Sequence, residues 1–117
     1  MADARAARAG ETKAGGKIGV RHILVRHSAL KDSRGATRTP EQACLRALDA
    51  LQQLTAGGLE WGEAVSTYSD ASTDDLGRVA YEDLNVSFAS AAFRLDVDQL
   101  SYVVESDRGF HVIWRTE

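Results

Sequence analysis

Four consecutive residues, Thr39-Pro40-Glu41-Gln42, constrain this chain more than any others. A hydroxyl residue able to cap, a proline at the first helical position and a glutamine three residues after the cap specify the start of a helix. After this start, Cys44, Leu45, Leu48, Leu51 and Leu54 recur at helical spacing and predict a buried stripe. Gly57-Gly58 ends the helix. Before it, 27–38 is polar, contains Gly35 and has no apolar period, so it reads as a loop.

The remaining elements follow from the two periodicities. Residues 18–26 carry Val20, Ile23, Leu24 and Val25 and predict a strand, on which His22, Leu24 and Arg26 share one face. Trp61, Ala64, Val65 and Tyr68 predict a second, shorter helix over 61–68. A polar loop over 69–75 leads to a short strand over 77–81. Phe88, Ala91, Ala92 and Leu95 mark a third helix over 87–95. Two alternating runs, 100–105 and 110–115, are joined by Ser106-Asp107-Arg108-Gly109 and read as a terminal hairpin. The result is a single α+β domain, which 117 residues with 44% hydrophobic content can support.

Charge is unevenly spread. Residues 17–38 hold six Lys or Arg against Asp32 alone, whereas 39–117 hold five against fourteen Asp or Glu. A basic stretch on an acidic domain is a candidate anion site, or a solvated loop. Residues 1–17 are rich in Ala, Gly and Arg but lack the apolar core of a secretory signal, and their acids argue against a mitochondrial presequence. They read as a flexible arm or a linker to another domain. No apolar run approaches a membrane span. Cys44 is the sole cysteine, so no internal disulfide forms, as suits a reducing compartment.

Several chemistries lack support. Cys44 sits on the apolar stripe of a helix, and no Gly-x-Ser-x-Gly elbow exists, which argues against a covalent enzyme. His22, His27 and His111 have no zinc spacing, and Asp70, Asp74 and Asp75 do not form a calcium loop, so no metal is expected. No glycine-rich phosphate loop precedes a helix, and no cofactor is expected. A pI of about 5.6, without aromatics among the basic residues, argues against nucleic acid. His22 and His111 lie on strands among apolar residues, where a histidine is more often a satisfied core group than a catalyst. Spacing alone stops at an α+β domain.

Five segments carry a resemblance further. Arg21-His22-Ile23-Leu24-Val25-Arg26-His27 resembles the opening strand of the parvulin family. Tyr68-Ser69-Asp70 resembles its serine-aspartate motif, Asp75-Leu76-Gly77 its aspartate-leucine-glycine turn, Phe88-Ala89-Ser90-Ala91-Ala92-Phe93 its phenylalanine-bearing helix, and Gly109-Phe110-His111-Val112-Ile113 its closing strand. Together they run in family order across 18–117. The resemblance implies a four-stranded antiparallel sheet surrounded by helices, in the order β-α-α-(short turn)-β-α-β-β. It implies peptidyl-prolyl cis/trans isomerisation, rotation about the bond preceding proline in protein substrates. By the same carry-over, Leu84 and Phe88 with Leu76 form a shelf for the proline ring, and Asn85 reaches the substrate carbonyl. His22 and His111 form the paired histidines of the site floor, with Ser106 as the nearby hydroxyl. Arg26, Lys31 and Arg34 supply cations for a phosphoserine, phosphothreonine or acidic residue before proline.

Two departures from the family pattern matter. The residue after Ser69-Asp70 is Ala71, where many active parvulins carry Cys or Asp. Arg108 takes a hairpin position usually held by a smaller residue, where it adds a cation or blocks the pocket. Three functions follow as alternatives: an isomerase for acidic or phosphorylated Xaa-Pro bonds, a parvulin-fold binding module for such motifs that has lost turnover, and a structural domain of a longer chain. A monomer, tethered or free, in the cytoplasm or nucleus is the expectation.

Overall fold

A computed structural model describes residues 16–117. The expected arm lies outside the described residues except for its last two, and Lys17 already belongs to the first strand. The order is β1 (Lys17–Val25), α1 (Pro40–Thr55), α2 (Trp61–Tyr68), β2 (Asp75–Ala80), a 3-10 turn (Tyr81–Asp83), α3 (Val86–Ala92), β3 (Val104–Ser106) and β4 (Gly109–Arg115). The strands form one sheet in the order β2-β1-β4-β3, each neighbouring pair antiparallel. This is the architecture the five motifs implied. No helix among the described residues is long and apolar enough to cross a membrane.

The helix start forms as read. The Thr39 hydroxyl accepts from the Gln42 amide at 3.1 Å, and the Gln42 side-chain oxygen accepts from the Thr39 amide at 2.8 Å. The stripe of α1 does not. Its buried residues are Ala43, Ala47, Ala50 and Leu51, with Cys44 and Leu54 partly buried against them. Leu45 is 65% exposed and Leu48 39% exposed. Alanines at i, i+4 and i+7 let the helix backbone lie close on the sheet, so the larger leucines ride at the flank.

The sheet is covered unequally. On one face, α1 and α2 pack over Ile23, Val25, Phe110 and Val112. On the other, α3 and the segment after it cover only Ile18, Val20 and Ile113 with Phe88, Ala92, Phe93 and Leu95. The rest of that second face carries His22, Leu24 and His111, with the Phe88 ring edge-on to both histidines.

Two strand boundaries move. The expected strand over 100–105 is reduced to Val104–Ser106, with Leu100 making one isolated bridge to Trp114. Ser101 is the cause. Its amide still donates to the Ile113 carbonyl at 2.8 Å, but the return bond from the Ile113 amide goes to its hydroxyl at 2.9 Å, which itself donates to the Tyr102 carbonyl at 2.6 Å. The third helix runs Val86–Ala92 rather than 87–95, because Asn85 caps it by accepting from the Ser87 and Phe88 amides at 2.9 and 3.4 Å.

Candidate active site

This part of the sheet is the floor of a cleft of about 590 Å³. His22, Leu24 and Arg26 line it, as their shared face requires, together with His111 from the neighbouring strand. Leu84, Asn85 and Phe88 form one wall, Ala71, Ser72 and Thr73 another, and Ser106, Asp107 and Arg108 come from the hairpin.

Leu76 reaches the cleft through an irregularity in the sheet. Val20 pairs with Gly77 and Arg21 with Asp75, so Leu76 is an extra residue opposite β1. Such a bulge re-aims a side chain. Gly77 carries the positive φ, 71°, that the bulge needs, and its amide donates to Asp75 Oδ1 at 2.8 Å.

The floor is a connected polar network in an apolar setting. His22 Nδ1 and His111 Nδ1 are 3.1 Å apart, and His111 Nε2 is 2.6 Å from the Ser106 hydroxyl. The Arg108 amide donates to that hydroxyl at 3.1 Å. Phe88 meets both imidazoles edge-on, with centroids 5.6 and 5.0 Å away. Burial pushes the His22 pKa down to about 4, against the raising effects of Asp74 and a backbone hydrogen bond with Thr73. Burial, the neighbouring His22 and the Arg108 charge push His111 down to about 3. Both rings are therefore neutral at neutral pH.

One assignment of protons fits these bonds. Ser106 donates its hydroxyl hydrogen to His111 Nε2. His111 Nδ1–H donates to His22 Nδ1, and His22 keeps its hydrogen on Nε2. The pair is a neutral hydrogen-bonded network, not a charged acid and base.

The serine-aspartate motif fixes the end of β1 where β2 has stopped pairing. The Ser69 hydroxyl accepts from the Leu24 amide at 3.1 Å, and the Asp70 amide donates to the Leu24 carbonyl at 2.7 Å. Asp70 Oδ2 then accepts from the Arg26 amide at 2.9 Å and from Arg38 Nη1 at 2.6 Å. Arg38 was counted in the basic stretch but not singled out, because only the fold brings it to Asp70.

The three expected cations separate. Arg26 is 8% exposed; its Nη1 donates to the Asp32 carbonyl at 3.1 Å, while its Nε has no partner. Arg34 lines both the cleft and a second hollow of about 370 Å³ that shares Arg26 with it. Its Nε pairs with Asp32 at 3.3 Å in an exposed contact. Lys31 is exposed and lines neither. The turn that brings the next residue's carbonyl to Arg26 leaves Lys31 outside, so it is not brought to the cation end.

Asn85 is also more occupied than the sequence implied. Its oxygen caps α3, and its Nδ2 donates to Asp107 at 3.1 Å. One hydrogen on Nδ2 remains for another acceptor. His27, the third histidine, is buried against Phe110 outside the cleft and accepts from the Ala29 amide at 3.3 Å.

A half-open sheet face floored by a neutral histidine pair and walled by Leu76, Leu84 and Phe88 defines a peptidyl-prolyl cis/trans isomerase domain of the parvulin type. The rotamase family, described as the PPIC-type PPIase domain, matches residues 22–117, and the chain belongs to it. Among its relatives, the peptidyl-prolyl cis-trans isomerase ssp-1 of Neurospora crassa is 33% identical, over 87% of this chain and 61% of that protein. The peptidyl-prolyl cis-trans isomerase Pin1 of Malus domestica is 29% identical, over 90% of this chain and 98% of that protein. In fold, the chain is similar to the peptidyl-prolyl isomerase ESS1 from Candida albicans, with a TM-score of 0.83, 24% identity, and coverage of 98% of this chain and 74% of that one.

Proposed function

We propose that this isomerase domain acts on Xaa-Pro bonds in which Xaa is anionic: a phosphorylated serine or threonine, or an acidic residue. The observation that carries this reading is the continuity of the cleft, in which an apolar shelf and the guanidinium groups of Arg26 and Arg34 line one cavity. Arg26 matters most, since its buried Nε has no hydrogen-bond partner among the described residues.

The chemistry asks little of the protein. Planar amides resist rotation by roughly 18–20 kcal/mol, and no covalent bond need break. A twisted amide has lost resonance, so a dry, weakly polar surface favours it relative to either planar form. Leu76, Leu84 and Phe88 take the proline ring. His22, His111 and Ser106 keep the floor beneath it neutral and rigid. The remaining Nδ2 hydrogen of Asn85 serves the substrate carbonyl, and Arg108 closes the rim.

A second reading rests on Ala71, whose methyl group lines the cleft and offers neither proton nor charge. With that wall inert, the domain would bind such motifs without turning them over.

Exchange NMR on matched peptides with Ala, Glu or phosphoserine before proline, with catalytic amounts of protein, tests both. Faster exchange for the anionic peptides, lost in Arg26→Met, supports the proposal. Equal acceleration of all three peptides overturns the anion preference. Shifted resonances at Arg26 and Phe88 without faster exchange, together with turnover gained in Ala71→Cys, establish the binding module.

A further inference from the structure

Asp74 takes no part in lining the cleft. Yet its side chain is tied down twice: Oδ2 accepts from Trp61 Nε1 at 2.8 Å and from Arg21 Nη1 at 3.0 Å. Arg21 also pairs with Asp75 at 3.3 Å, and Trp61 packs on Trp114 with ring centroids 5.3 Å apart. Arg21 precedes His22 on β1, so the two side chains leave opposite faces of the sheet. The carboxylate therefore grips the face that carries α1 and α2, while the histidine faces the cleft.

The main chain links the two faces. The His22 amide donates to the Asp74 carbonyl at 2.9 Å, extending the β1–β2 pairing one residue past the start of β2. The preceding residue, Thr73, lines the cleft together with the His22 side chain. The loop 71–74 is thus held at its start by Ser69 and Asp70 and at its end by Asp74. Between these anchors, Ala71 can make no polar side-chain contact of its own.

We infer that Asp74 is a positioning residue for the isomerase reaction: the Trp61–Asp74–Arg21 clamp, on the far face of the sheet, fixes the Asp74 carbonyl on the His22 amide and so holds the His22 ring in its place in the His22–His111–Ser106 network. The competing explanation is a peripheral ion pair of little consequence. The two differ in what happens at His22, which the Asp74 side chain reaches by its charge and not by contact; Trp61→Phe, which keeps that charge, separates positioning from electrostatics.

The test compares the natural protein with Asp74→Ala and Trp61→Phe, at neutral pH and a temperature at which all are folded. Ring nitrogen shifts of His22 report the tautomer. In the natural protein they show hydrogen on Nε2 alone. In Asp74→Ala they move toward an average of the two tautomers, and kcat/KM on an Xaa-Pro peptide falls about tenfold, the scale of loss for misplaced site groups. Trp61→Phe, which removes one donor and keeps the aromatic packing, moves both readouts the same way by less, and stands alone if Asp74→Ala fails to fold. Arg78→Ala, which removes an exposed ion pair to Glu117, leaves both unchanged. Unaltered His22 shifts in both variants, with kcat/KM within about twofold, would overturn the inference, whatever the melting temperature does.

Discussion

His22 and His111 hold one hydrogen between their Nδ1 atoms. The atoms are 3.1 Å apart, the rings stack at an interplanar angle of 23°, and both side chains are buried. A second proton there would leave a buried imidazolium whose Nδ1–H faces that of its neighbour beneath Phe88, which burial makes costly.

Stability should therefore fall on mild acidification. The folded pKa values, about 4 for His22 and about 3 for His111, lie below the value of about 6.5 for an unfolded histidine. The unfolded chain then binds more protons than the folded one as pH drops below about 6.5, so stability is complete above that pH and is lost below it. At pH 5 the loss is on the order of 4 kcal/mol for the pair, at 1.36 kcal/mol per unit per group. The lowered pKa of Asp74, where hydrogen bonds from Trp61 and Arg21 outweigh the upward push of burial, acts only in a more acidic window, below the ordinary carboxylate value. Urea unfolding at pH 7.5 and pH 5 reads the difference, and a flat profile contradicts the neutral pair.

Ser106→Ala removes the hydroxyl that donates to buried His111 Nε2. An orphaned buried acceptor costs about 1–3 kcal/mol. Ser106→Thr, which keeps the hydroxyl, should recover most of it. The check is the urea midpoint of the two variants at pH 7.5.

Asp32→Asn should sharpen the preference for a dianion. Asp32 occupies Arg34 in an exposed pair at 3.3 Å, with both side chains about two-thirds in solvent. Exposed pairs are weak, typically 0.2–1 kcal/mol, so freeing Arg34 should lower KM for a phosphoserine-proline peptide by about two- to fivefold. The alanine-proline peptide should not change. The gain should shrink at high salt.

Gly109→Ala should prevent folding or sharply weaken it. Gly109 has φ 135°, and a Cβ there would collide with the Val25 carbonyl oxygen, at the end of the β1–β4 pairing. Both the backbone conformation and the space exclude a side chain. Circular dichroism of the purified variant, or its loss to inclusion bodies, checks this.

What the sequence disclosed was local. The Thr39–Gln42 box, the alternation that puts His22, Leu24 and Arg26 on one face, and the span of α2 are properties of neighbouring residues. Leu45 and Leu48 misled because periodicity marks an apolar stripe without saying which edge faces the sheet. The closer-packing Ala43, Ala47 and Ala50 were visible as small residues at helical spacing. Lys31 misled for a related reason, since charge in a loop carries no direction. The Trp61–Asp74 and Arg38–Asp70 bonds join residues 13 and 32 apart and depend on where the loops cross the sheet, which no periodicity records. The cleft residues were reached through family resemblance, and the bulge that presents Leu76 lay hidden in an otherwise regular strand.

Because α3 covers only half of its sheet face, the floor of the cleft belongs to β1 and β4, the two central strands. The reacting surface therefore has no opening motion of its own short of losing the sheet. Its amides should exchange with solvent only as slowly as the whole molecule unfolds, while those of 28–38 exchange far sooner. Substrate would thus meet a fixed anvil beneath a basic loop, and the exposed Lys31 and Arg34 of that loop are open to alteration without touching the strength of the fold.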